Sequence, residues 1–295
     1  MKYLYGPVIS RRLGRSLGIN IVPFKTCTYS CVYCQLGPTT NKTVKRTSYF
    51  DRESVIDEIR KIRKWNFDYL TFSGEGEPTL NKDIGIFIKE AKDVGARIAV
   101  LTNGSLLWME EVRSDLKNAD IVIPSLDAAT PEIFRKINRP HRSLEIDKII
   151  EGLINFREEY DGLFYIEIML VKGYNTSESE LVKIKEALDL IKPRGVYLLI
   201  PTRPPVEKID IPSYLDIIKA ETIIGSSIRV TLPEFGVFDL IDPSKPKKSI
   251  LSIIKRHPLR EDQIKSIIKE YKLKLELSEI EKETRIVFFK GIKYY

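Results

Sequence analysis

Cysteine, histidine, methionine and tryptophan are all scarce in this 295-residue chain, with three, two, three and two copies. A disulfide framework needs more thiols than that, and one bridge here leaves a thiol over. The two histidines, His141 and His257, both lie far from the cysteines in sequence. No run approaches the roughly 20 consecutive apolar residues of a membrane span, and the opening Lys2-Tyr3-Leu4-Tyr5-Gly6-Pro7 does not read as an apolar signal. The expectation is a cytoplasmic chain with reduced thiols and no membrane partner. Acid is missing locally as well: the first 50 residues hold eight Lys or Arg and no Asp or Glu. Residues 245–295 add fourteen basic and seven acidic side chains, so with a net charge of +7 the middle of the chain is acidic. Two basic ends flanking an acidic body suit a polyanionic partner, or simply a solvated surface.

What is present is concentrated. All three cysteines fall in Lys25-Thr26-Cys27-Thr28-Tyr29-Ser30-Cys31-Val32-Tyr33-Cys34. Thiolates spaced four and then three residues apart on one loop can converge on one face of an iron–sulfur cube, leaving its fourth iron without a protein ligand. A zinc site completed by a histidine is the rival reading, and cysteines buried only for packing are a third. The preceding Leu17-Gly18-Ile19-Asn20-Ile21-Val22 reads as a strand that runs into Pro23 and the cysteine loop. The thiols then sit beyond a strand's carboxyl end, the face on which barrels of alternating strands and helices build their sites.

From Asp51 onward strand and helix alternate. Helical patterns at 52–64, 83–94, 109–117, 131–137, 144–159 and 179–191 separate strands at 69–73, 97–102, 121–126, 163–171 and 195–200. With the first strand this makes six, and βα units in series predict an α/β fold with a parallel sheet and helices outside. The pattern alone fits a doubly wound sheet as well. Residues 1–16 read as a basic N-terminal arm ending in Ser10-Arg11-Arg12-Leu13-Gly14-Arg15-Ser16, whose arginines suit a grip on phosphate or a coat at the mouth of the site. The core is expected at 17–242. After the linker Asp242-Pro243-Ser244-Lys245-Pro246, residues 245–295 read as a small α+β module of two helices, 249–256 and 260–271, and a hairpin turning at Lys290-Gly291. That order is similar to a winged helix. Glu276, Glu279, Glu281 and Glu283 lie where a recognition helix would fall and would repel phosphates, which leaves a protein-docking or lid role equally open.

The pattern C-x3-C-x2-C, with Tyr33 before the last cysteine, resembles the signature of the radical S-adenosylmethionine (radical SAM) superfamily. The resemblance implies a 4Fe-4S cluster on Cys27, Cys31 and Cys34 as catalytic and metal-ligating residues, with S-adenosylmethionine chelated by the open iron. It also implies reductive cleavage to a 5′-deoxyadenosyl radical that takes a hydrogen atom from a substrate, and an electron donor such as a ferredoxin or flavodoxin. Six strands suit the family's open, partial (β/α)6 barrel of TIM type. Gly74-Glu75-Gly76-Glu77-Pro78-Thr79 looks like the Gly-Gly-Glu-Pro motif that receives the amino group of S-adenosylmethionine, with Glu75 in place of the first glycine. The implied cofactor contacts are Tyr33, Gly74, Gly76, Glu77, Thr102, Asn103, Ser125, Asp127, Glu167 and Leu199, the last walling the adenine with Pro201. Asn103 reads equally as a turn former and Asp127 as a cap for the helix opening at Thr130. The facing of Glu167 on its strand is not fixed by the pattern.

Residues 1 to about 240 are similar to archaeal and bacterial radical SAM proteins related to the enzymes of wyosine-base synthesis on transfer RNA. The phrases Ser10-Arg11-Arg12-Leu13-Gly14, Lys25-Thr26-Cys27, Phe72-Ser73-Gly74-Glu75-Gly76-Glu77-Pro78-Thr79-Leu80 and Asn138-Arg139-Pro140-His141 carry the likeness. The wyosine enzymes spend further cysteines on a second cluster, for which this chain has none. The expected activity is radical modification of an RNA base, in transfer RNA, held by the basic ends. The alternative is modification of a protein or peptide docked through residues 245–295. In the polar connector, Arg139 and His141 suit either contact with substrate or capping at the surface.

Overall fold

Tyr3, Leu4, Tyr5 and Val8 are buried, and this apolar run outweighs the charges that follow it. Strand β1 (Leu4–Ser10) pairs antiparallel with β2 (Gly14–Ile19). The Ser10 hydroxyl accepts from the backbone N–H groups of Arg12 and Leu13 to close the turn between them. The stretch 1–16 is therefore not an arm of turns and charges but an edge strand and the start of its neighbour. The computed structural model describes residues 1–62, 66–225, 227–230, 236 and 238–295.

Two-residue strands β3 (Thr26–Cys27) and β4 (Asn41–Lys42) pin the base of the cysteine loop. The alternation then runs α1 (Arg52–Arg60), β5 (Tyr69–Phe72), α2 (Ile84–Asp93), β6 (Ile98–Thr102), α3 (Glu110–Leu116) and β7 (Ile121–Pro124). It continues through α4 (Pro131–Ile137), α5 (Ile146–Glu159), β8 (Leu163–Met169), α6 (Glu178–Ile191), β9 (Gly195–Leu199), α7 (Tyr214–Ile224) and β10 (Ser227–Val230). The first helix, expected to reach Lys64, is capped by Asp51, whose carboxylate accepts from Ser54 N; Lys64 lies outside the described residues. All six expected strands form. The sheet also gains β1 and the short β10, giving the order β1-β2-β5-β6-β7-β8-β9-β10, parallel from β2 onward.

Side chains alternate between the two faces of this sheet. Leu70 and Phe72, Ile98 and Val100, Phe164, Ile166 and Ile168 face the helices and form the main core. The opposite face sends Tyr69, Ala99, Ile121, Ile123, Tyr197 and Leu199 into one inner cluster with Leu13. Tyr69 on β5 and Tyr197 on β9 meet only if the strands bend round toward each other, as in an incomplete barrel. Among the described residues, the edges β1 and β10 do not pair.

The tail closes part of this opening. Helices α8 (Pro246–Arg256), α9 (Glu261–Glu270) and the five-residue α10 (Leu277–Glu281) precede a hairpin of β11 (Val287–Phe289) and β12 (Ile292–Tyr294). Ile250, Ile253, Ile264 and Ile267 line one side of a second core that is completed by Tyr5 and Val8 of β1. From the other direction, Tyr294 Oη donates to Thr202 O at 2.7 Å, just past β9. Two expected helices thus become three; a winged-helix identity rests on element order alone. Among the described residues no helix is long and apolar enough to cross a membrane. Deleting the fully buried Ile253 side chain as Ile253→Ala should cost about 3 kcal/mol, seen as a lower urea midpoint of the full chain; an unchanged midpoint would contradict this packing.

Candidate active site

The cysteine loop is held from three sides by backbone hydrogen bonds. Lys25 N donates to Glu75 O and Glu77 N to Thr26 O, joining it to the turn after β5. Ser30 N and Val32 N donate to Asn138 O and Ile137 O at the end of α4, and Val206 N, after β9, donates to Cys34 O. Gly76 makes the bond from Glu77 N to Thr26 O possible: a Cβ at Gly76 would stand 1.9 Å from the Thr26 carbonyl oxygen. No other residue fits.

Each sulfur faces a nitrogen donor. Lys25 Nζ lies 3.0 Å from Cys34 Sγ, Asn138 Nδ2 3.4 Å from Cys31 Sγ, and Asn103 Nδ2 3.6 Å from Cys27 Sγ. Burial pushes the Cys27 thiol up to about 12, with the nearby Glu77 carboxylate acting in the same direction. The Cys31 thiol is raised further, by burial first and Asp127 second, against the Asn138 hydrogen bond. Each of these thiols also feels its neighbours' charge, so the three form one cluster of donors.

Two buried carboxylates organise the strand ends around them. Glu77 Oε1 accepts from Thr79 N, Thr79 Oγ1 and Thr102 Oγ1, and its Oε2 accepts from Asn103 N at 2.7 Å. Burial still raises its pKa, because desolvation outweighs four good bonds. Asp127 accepts from Tyr33 Oη, Asn138 Nδ2 and Met169 N, and burial lifts it to about 6 against those bonds. Asp127 does not cap the helix opening at Thr130. Glu180 of α6 instead holds the residues just ahead of that helix, accepting from Ala129 N, Thr130 N and Thr130 Oγ1.

The remaining expected positions resolve as follows. Asn103 is more than a turn former, since its amide also donates to Thr28 Oγ1 at 2.7 Å. Glu167 faces inward, with Ser125 Oγ donating to it at 3.2 Å and Arg12 Nη1 3.3 Å away. Thr102 is engaged by Glu77 and Gly104 N, and Leu199 belongs to the inner apolar cluster. Gly74 packs on Asn20, with φ +136°. Arg139 and His141 do not converge on the thiols: Arg139 pairs with Glu207, and His141 Nδ1 with Ser143 Oγ. Lys25, Asn20 and Asn138 join the site without a signal in their local sequence, because their facing emerges only in three dimensions. Glu75, in place of a glycine, is buried and meets Asn20 Nδ2, Lys255 Nζ and Arg256 Nε.

Known proteins define the class. The model of the Radical SAM superfamily matches residues 21–188. A UPF0026 protein of Methanocaldococcus jannaschii is 37% identical over 312 residues, spanning 99% of this chain and 97% of its own. A Pseudothermotoga lettingae protein named a probable dual-specificity RNA methyltransferase RlmN is 30% identical over 176 residues, 56% of this chain and 50% of its own. A solved structure of TYW1 with a lysine-pyruvate adduct bound shares the fold, with a TM-score of 0.55 and 18% identity over 71% of this chain and 72% of that one. The chain belongs to the radical SAM superfamily, whose enzymes use a 4Fe-4S cluster and S-adenosylmethionine.

The donor set fits that cluster. Three thiols stand together on one loop, each with an N–H group positioned to stabilise charge on sulfur. Neither histidine joins them to complete the zinc set of three cysteines and a histidine: His141 Nδ1 meets Ser143 Oγ, and His257 lies against Phe238 and Arg203. Among the described residues no three Cys, His, Asp or Glu side chains are placed to hold a single metal ion. Two predictions follow from the geometry. Gly76→Ala should leave the circular dichroism spectrum intact but cut bound iron and sulfide severalfold after reconstitution; full iron content would contradict the contact. Because Cys27 and Cys31 hold their protons through neutrality, iron must displace protons, so a chelator should strip the cluster more readily at pH 6.5 than at pH 8.5. Stripping that is independent of pH would refute this linkage.

Proposed function

We propose that this radical SAM enzyme modifies an RNA, in the first instance a base of transfer RNA. The convergence of Cys27, Cys31 and Cys34 under three nitrogen donors, in a chain of this superfamily, supports the radical chemistry. When bound, the cluster and S-adenosylmethionine supply one-electron cleavage and hydrogen-atom abstraction. The protein's part is to hold and shield. Gly76 brings the turn after β5 against the cysteine loop, Glu77 locks the ends of β5 and β6 together, and Asp127 ties Tyr33 and Asn138 to β8. Oε2 of Glu77 accepts one hydrogen bond among the described residues, from Asn103 N, and so retains capacity for the amino group of S-adenosylmethionine.

The RNA reading is supported by the basic opening and closing segments, by the motifs similar to wyosine-base enzymes, and by the relative named an RNA methyltransferase. A second reading, a peptide or protein substrate, has one observation of its own. A groove of about 860 Å³ between the cysteine-loop side and the tail is lined largely by apolar groups, among them Phe24, Pro204, Leu251, Ile254 and Tyr294.

Reconstituted protein with dithionite and S-adenosylmethionine should release 5′-deoxyadenosine, and Cys31→Ala should abolish that release; continued turnover in the variant would refute the cluster assignment. Affinity for transfer RNA should fall steeply as salt rises. Binding that is absent at low salt, with a peptide bound instead, would favour the second reading.

A further inference from the structure

Lys25 stands immediately before β3 in the left-handed backbone region, with φ +55°. A side chain strains the backbone there, and such strain persists only where the surroundings impose it. Backbone hydrogen bonds impose it here. Lys25 N donates to Glu75 O at 2.7 Å, and Lys25 O accepts from both Thr40 N and Asn41 N. The outcome is a buried cation: Lys25 is 3% exposed, and its ammonium lies 3.0 Å from Cys34 Sγ. Among the described residues that sulfur is its hydrogen-bond partner, and no carboxylate forms an ion pair with it. The other two sulfurs face neutral amides, Cys27 that of Asn103 and Cys31 that of Asn138. Buried carboxylates oppose ionisation at both, Glu77 at Cys27 and Asp127 at Cys31. At Cys27 the charge that works against Glu77 is Lys25.

An ammonium removed from water needs a negative partner, and a thiolate bound to iron is one. Reduction of a 4Fe-4S cluster adds one electron from a low-potential one-electron donor, and no bond forms or breaks. The added charge spreads over iron, sulfide and ligand sulfur. A cation at this range, in a medium of low dielectric, favours the form that carries more negative charge. Net charge and hydrogen bonds at the sulfurs are among the determinants of such potentials. We propose that Lys25 tunes the cluster's reduction potential upward through Cys34, so that an external donor can deliver the electron on which the radical chemistry depends. Lys25 is thus a positioning residue, acting through a ligand sulfur. This deepens the proposed function and rests on the three cysteines holding the cluster, but not on the substrate being RNA.

The test reads a potential and needs no turnover. The reconstituted full chain, without S-adenosylmethionine, is titrated with graded reductant while visible absorbance and electron paramagnetic resonance report the reduced cluster. Lys25→Met removes the charge and the hydrogen bond together, whereas Lys25→Gln removes the charge and keeps an N–H donor. At the parent's midpoint both should lower the ratio of reduced to oxidised cluster roughly tenfold or more, a downward shift of about 59 mV for one electron. Lys25→Arg, which keeps the charge, should stay within about threefold of the parent. The proposal is overturned if the neutral variants titrate as the parent does, or if Lys25→Arg falls as far as they do. It is overturned too if Lys25→Met alone falls, which assigns the effect to the hydrogen bond, or if neither neutral variant holds iron, which makes Lys25 a prop of the loop. Iron and sulfide analysis of the same preparations separates the outcomes: a parent without cluster removes the cluster reading itself, whereas a loaded parent with unshifted variants removes only the role of Lys25.

Discussion

The contact between Gly76 and the Thr26 carbonyl fixes the distance between the cysteine loop and the turn after β5, and the rest of the site is built outward from it. Backbone-to-backbone contact at this range leaves no tolerance for a side chain. Once it is made, Glu77 N bonds Thr26 O, and the Glu77 carboxylate sits beneath the loop where Thr102 and Asn103 reach it. Asn103 in turn reaches back to Thr28 and Cys27. A closed circuit runs from β3 through β5 and β6 to β3 again, and rigidity in the ligand loop comes from that circuit rather than from the loop's own sequence.

Both organising carboxylates are costly to bury, and the cost differs with their surroundings. Asp127 is raised to about 6 even with three donors, so a modest drop in pH protonates it. Protonation changes one acceptor into a donor just where Tyr33 and Asn138 converge. Glu77 is more fully served, with three donors on one oxygen alone. The strand ends are thus stiffened by groups that would favour neutrality in isolation, an arrangement common where a site must hold its shape against a ligand's charge.

Much of this was legible in the sequence because it is local. The cysteine spacing, the Gly-Glu-Pro turn and the βα alternation are each contained in short windows. What was not legible depends on partners far along the chain. Glu180 holds the entry to α4 at Thr130 from a distance of 50 residues, whereas a short window around Thr130 offers only Asp127 as a candidate there, beside its role at the cofactor. Asn138 was singled out only as part of a polar connector, because its two partners, Cys31 and Asp127, lie on other elements. The facing of Glu167 needed the burial alternation of β8, in which Phe164, Ile166 and Ile168 are buried against the helices. The opening strand was misread because its apolar content is brief and the arginines beyond it are conspicuous. Tyr5 is nevertheless buried, its ring lying over Gly18, where an added Cβ would come within 2.1 Å of it.

Glu75 gives the chain a property that neither of its parts has alone. The carboxylate is 4% exposed on the core, yet its cationic partners, Lys255 and Arg256, belong to α8. Expressed without the tail, the barrel would present this anion stripped of both cationic partners, with the amide of Asn20 still facing it. Core and appendage are therefore joined by charge as well as by peptide bond, and a swap of the appendage between relatives would succeed only where both halves of that pairing travel together.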